Sequence, residues 1–151
     1  MRLPPSLLAE FQRHGREGGL ERARRLTPEA RRAIARRAAI RRWTRARFGS
    51  ARFEDLGLPG GAIIDQGLDD LAQGKESPES LAVSLAAPRL RREGVPVPAS
   101  CLPDADRRLY RLLESRHGLI AHARYLAWLR QVASFADACG LARQNRSRHA
   151  R

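Results

Sequence analysis

Three sets of side chains in this 151-residue sequence have the types and spacing to do chemistry. Arginine pairs recur at five-residue intervals, Arg31-Arg32, Arg36-Arg37 and Arg41-Arg42, and Arg45 and Arg47 follow them. A guanidinium donates two parallel hydrogen bonds to a phosphate, so such a run suits a polyanion. The imidazoles His14, His117, His122 and His149 and the thiols Cys101 and Cys139 could serve acid–base or metal chemistry. Asp65, Asp69 and Asp70 are close enough to share one helical face, as a metal-dependent nuclease would require.

The second and third sets weaken on inspection. His117 and His122 are five apart across Gly118, which is not the i,i+4 pair of a helical zinc protease. Cys101, His117, His122 and Cys139 match no common zinc spacing. Arg111 to His117 and Arg116 to His122 both fit the Arg-then-His motif of HEPN-type helical ribonucleases. Arginine supplies 28 of the 29 basic residues, however, and chance alone gives about two such matches in a chain so rich in it. Leu112 also follows Arg111, where such sites carry a polar residue. The three aspartates read as a solvated helix face. "LPGGAII" lacks the spacing and the lysine of a phosphate-binding loop. No catalytic residue is assigned, and no metal or cofactor is implied.

The arginines survive, because charge balance supports them. The formal charge is +13, against 42% apolar and 30% charged residues, a globular composition with an unusual excess of base. The use of arginine in place of lysine fits a GC-rich genome, but that bias does not explain why bases outnumber acids 29 to 16. Residues 1–48 carry 14 Arg and 4 Glu, residues 49–142 carry 11 basic and 12 acidic side chains, and residues 143–151 add four Arg. The division is a basic arm (1–48), a neutral helical body (49–142) and a basic tail (143–151). Glu29 is the only acid between Glu21 and Glu54, so pairing within the arm cannot neutralise it. Arg31, Arg32, Arg36, Arg37, Arg41, Arg42, Arg45 and Arg47 are the candidate nucleic-acid-binding residues. Two cysteines are too few for a disulfide framework, and no secretory leader or membrane-length apolar run is evident. The expectation is a bacterial-type cytoplasmic protein with no membrane contact.

The elements that must hold these residues read as all helix. A short helix is expected over Ser6–Arg13, broken by Gly15, Gly18 and Gly19. Thr27-Pro28-Glu29 is a strong helix start, with a capping hydroxyl, a proline at the first position and an acid on the positive end of the dipole. That basic helix should run to about Arg47. Its apolar residues Ile34, Ile40, Trp43 and Phe48 fall on several sides, so little packing on the body is expected. Trp43 reads as a local packing anchor, with base stacking as the alternative. Further helices are expected around 61–73, from Ser77 with a stop or kink at Pro88, from an Asp104 cap to His117, and over Leu119–Cys139 with Gly140 as C-cap. The last carries an apolar stripe through Ala121, Tyr125, Trp128, Leu129, Val132, Phe135, Ala136 and Cys139. The body should cover most of it and leave an edge at Tyr125 and Trp128 for another chain. The fold expected is all-α, a small helical bundle with a basic N-terminal helical arm. No helix-turn-helix, zinc finger or RNA-recognition motif is visible, so base readout has no support.

"GGLERARRLTPEARRAIARRAAIRRW" resembles a segment of small bacterial antitoxin-like proteins associated with nucleotidyltransferase-type toxins. "LAVSLAAPRLRREGVPVP" and "ARYLAWLRQVASF" are similar to later segments of the same group. The resemblance implies a regulator, not an enzyme, with a toxin as protein partner and binding to the operon's own DNA in preference to RNA. The alternatives are a helical HEPN-like ribonuclease or toxin, and an RNA- or ribosome-associated accessory protein.

Overall fold

The computed structural model describes residues 4–149. Among these residues there are helices and turns but no strand, and the chain is all-α. The α-helices are α1 (Pro5–Arg25), α2 (Pro28–Phe48), α3 (Gly61–Gln73), α4 (Pro78–Arg92), α5 (Ala105–His117) and α6 (Ala121–His149). Two 3-10 turns, Glu54–Leu56 and Gly118–Ile120, precede α3 and α6. Helices α2 to α6 pack together as a small bundle, in which α3 lies most closely on α4 and α6 crosses α4 and α5. The core is one cluster of buried side chains from Phe53, α3, α4, the 95–97 segment, α5 and α6.

The start of α2 follows its sequence. Thr27 Oγ1 accepts the Ala30 N–H at 3.2 Å, Pro28 opens the helix, and Gly49 closes it in the left-handed region. Ser77 and Ser80 form a reciprocal capping box at the head of α4. Gly67 sets the distance between α3 and α4, since a methyl there would lie 2.5 Å from the Glu79 carbonyl oxygen.

Four boundaries differ from expectation. First, α1 runs unbroken through Gly15, Gly18 and Gly19. Each glycine costs a helix about 1 kcal/mol, but the Leu, Ala, Glu, Gln and Arg residues around them in α1 are good helix formers. Second, α4 does not stop at Pro88 but continues to Arg92; the exposed proline ring loses one backbone bond while Val83, Ala87 and Leu90 stay buried around it. Third, Asp104 precedes α5 with φ of 50° and its side chain caps nothing. Fourth, Gly140 lies inside α6 and does not end it. The helix passes the end of α4 there: a methyl on Gly140 would meet Glu93 Oε2 at 3.4 Å. Arg143 then donates to the Arg92 carbonyl at 2.9 Å and lies 3.5 Å from the Glu93 carboxylate. The last two residues of the basic tail, 150 and 151, lie outside the described residues.

Candidate nucleic-acid interface

Helix α2 docks on the body, contrary to the expectation that it would gain little there. Thr44 is 1% exposed, and Ile40 and Phe48 pack against the core. The ring of Phe48 meets Phe53 edge-on at 5.0 Å, and Phe53 meets Phe135 of α6 edge-on at 5.0 Å. This aromatic chain ties the basic helix to the last one. Aromatic pairs of this geometry add about 0.5–1.5 kcal/mol beyond their burial. The packing was hard to see in the sequence because threonine, alanine and arginine supply much of the docked face.

Docking sorts the arginines. Arg37 Nε donates to Asp69 Oδ1 at 3.3 Å, and Arg41 Nη2 donates to Asp69 Oδ2 at 3.0 Å. Arg36 donates to the Ala72 carbonyl at 3.4 Å. These three are tied to α3. Arg31, Arg32, Arg42 and Arg45 are exposed and, among the described residues, make no side-chain hydrogen bond or ion pair. At 3.6 residues per turn Arg31 and Arg42 lie opposite Thr44 and Ile40, with Arg32 and Arg45 on the two flanks of α2. Eight arginines in a row therefore resolve into a docked set, an outward set, and Arg47, which points to a neighbouring groove.

That groove was not foreseen. An opening of about 450 Å³ is lined by Arg42, Trp43, Ala46 and Arg47. An adjoining one of about 520 Å³ shares Trp43 and Arg47 and adds Arg91, Arg92 and the 94–97 segment. Trp43 is 58% exposed, so it is not the packing anchor its position suggested; Phe48 is. Gly94 has φ of 86°, and a methyl on it would lie 2.1 Å from Arg47 Nε. The guanidinium of Arg47 thus lies directly on the Gly94 backbone. Arg91 is committed to the carbonyls of Val97 (3.4 Å) and Pro98, which fastens the 94–97 segment to α4. Arg92 is 70% exposed, with Glu93 3.8 Å away. No periodicity in the sequence links the "VPVP" stretch to Trp43.

The other candidate chemistry is occupied by the fold. Asp65 accepts the Phe53 and Glu54 amides at 3.0 and 2.9 Å. Asp69 holds the two arginines of α2. Asp70 is 1% exposed and accepts the Ser77 hydroxyl at 2.6 Å and Gln66 Nε2 at 3.0 Å. Among the described residues no group of three or more His, Cys, Asp or Glu side chains could hold a metal ion. Cys101 Sγ receives Arg91 at 3.2 Å, and Cys139 is buried. His117 is half-buried at the end of α5, and the His122 ring faces Tyr110 with centroids 6.3 Å apart.

Tyr125 and Trp128, the expected partner edge, are both half-buried and pack against the core. The Tyr125 hydroxyl donates to Asp106, and its ring meets Tyr110 edge-on at 5.5 Å. The hydrogen bond to Asp106, burial and the Asp106 charge together push its pKa up to about 12. The fully exposed apolar side chain of this region is instead Leu119, beside the 54% exposed Ile120, in the turn before α6. Leu7, Leu8, Phe11 and Leu20 of α1 are also exposed. No described helix is long and apolar enough to cross a membrane. Comparison with protein-family models, with curated proteins and with solved structures gives no match for this chain.

Proposed function

We propose that this chain is a non-enzymatic regulatory protein that binds nucleic acid, DNA in preference to RNA, through the outward face of α2. The observation that carries the reading is the outward set itself. Arg31, Arg32, Arg42 and Arg45 are exposed and unpaired among the described residues, on a helix whose other side is fixed to the body. Guanidiniums carried by a docked helix fit a phosphate backbone, release its counterions on binding, and carry no sequence information by themselves. The sequence resemblance supports an antitoxin-like role in the cytoplasm, with a nucleotidyltransferase-type toxin as protein partner. The half-covered edge at Tyr125 and Trp128 is the surface assigned to that partner.

The test is fluorescence anisotropy of a labelled DNA duplex and of an RNA duplex of equal length, titrated with the chain at low salt. Tighter binding of DNA supports the reading; no binding of either overturns it. A nucleotidyltransferase encoded beside this chain should co-elute with it from a sizing column. Trp128→Ala should weaken that complex while leaving DNA binding unchanged.

A further inference from the structure

We infer that the Trp43 groove binds an unpaired stretch of a nucleic-acid strand, with a nucleobase stacked on the indole. This rests on the nucleic-acid reading of α2 and adds a second mode of contact to it. The outward arginines need only phosphates. Trp43 offers something a duplex backbone does not use: an indole, 58% exposed, at a groove lined by guanidiniums. A duplex keeps its bases stacked inside, whereas a single strand can lay one on an aromatic face.

The charge around the indole fits the same occupant. Arg42 and Arg47 of α2 line one part of the opening, and Arg47 and Arg92, the last residue of α4, line the other. No acidic side chain is among the residues lining either part. Arg47 lies against the bare backbone of Gly94, at the edge of the opening. The floor is firm: Val95 and Val97 are 3% and 9% exposed, and Arg91 ties the segment to α4. An apolar peptide would meet several guanidiniums here, and an acidic peptide would leave the indole uncovered. A base flanked by two phosphates uses both.

The experiment uses the full chain and three labelled probes: a ten-nucleotide oligo-dT, an abasic strand of the same length and charge, and a duplex. Oligo-dT should bind about 5- to 150-fold more tightly than the abasic strand, the range for a single base–aromatic stack. Trp43→Ala should remove that difference and leave abasic and duplex binding unchanged, and Trp43→Phe should retain most of it. In a Trp128→Phe background, where Trp43 is the only tryptophan, oligo-dT should quench the fluorescence and the abasic strand should not. Equal affinity for the two strands in the wild type overturns the stacking inference while leaving the α2 reading intact. Loss of binding to all three probes on Trp43→Ala also overturns it, because the residue then serves the fold. If the wild type binds no probe at low salt, the α2 reading fails and this inference fails with it.

Discussion

Asp69 on α3 receives Arg41 of α2 at 3.0 Å, and its other oxygen receives Arg37 at 3.3 Å. One carboxylate thus holds two of the arginines that repeat along the helix. Partly exposed pairs of this kind contribute about 0.2–1 kcal/mol each. Asp69→Ala should therefore lower unfolding stability by no more than about 2 kcal/mol for the two pairs. It should also speed amide exchange in α2 more than in α4. The same substitution frees two guanidiniums and removes a negative charge, so nucleic-acid binding at low salt should strengthen. Weaker binding would mean that the docked position of α2 matters more than its charge.

Phe135→Ala should destabilise the fold by about 3–5 kcal/mol, because the ring is 0% exposed and carries the contact to Phe53. Trp128→Ala should cost less in the isolated chain, because its ring is only half covered. Denaturant melts of both variants check this. Equal losses would place Trp128 in the core and leave the protein partner without its assigned edge.

The body was largely legible in the sequence, and the boundaries that failed share a cause. Thr27-Pro28-Glu29 and Ser77 carry their caps in their own side chains, so both helix starts could be read directly. The stripe on α6 announced Val132, Phe135 and Cys139 as core. Pro88 and Gly140 are breakers only in isolation. Buried neighbours carry α4 through its proline, and Glu93 and Arg143 lie where α6 passes its glycine. The candidate site was half legible. Counting charge identifies α2, but only its docking separates Arg37 and Arg41 from Arg42 and Arg45. The Trp43 groove depends on Gly94 meeting Arg47, a contact between segments far apart in sequence that no local pattern encodes.

Tyr125 supplies a pH signature. Its pKa is pushed up to about 12, chiefly by the hydrogen bond to Asp106, against about 10 for an unperturbed tyrosine. The fold favours the neutral phenol. The stabilisation is therefore complete below about pH 10 and is lost as pH rises towards 12. Ultraviolet titration of phenolate should show a late transition that Tyr125→Phe removes. Asp106→Asn should lower that transition, and an unchanged titration would contradict the contact.

Intrinsic nuclease activity is not expected. His117→Ala and His122→Ala should leave unchanged any RNA cleavage seen in a preparation. Metal-independent cleavage by the wild type that either substitution abolishes would make this chain a helical ribonuclease.

The salt dependence of binding tests the outward face of α2 most directly. With about five phosphates contacted, raising salt from about 50 to 200 mM should weaken duplex binding by roughly two to three decades. In the variant with Arg31, Arg32, Arg42 and Arg45 all changed to Ala, the log–log slope should fall by about 0.9 for each phosphate contact removed. Its melting curve should match the wild type, because none of the four makes a side-chain hydrogen bond or ion pair among the described residues. A flat salt response in the wild type, or an unchanged slope in a folded variant, would contradict the assignment of nucleic-acid binding to this face.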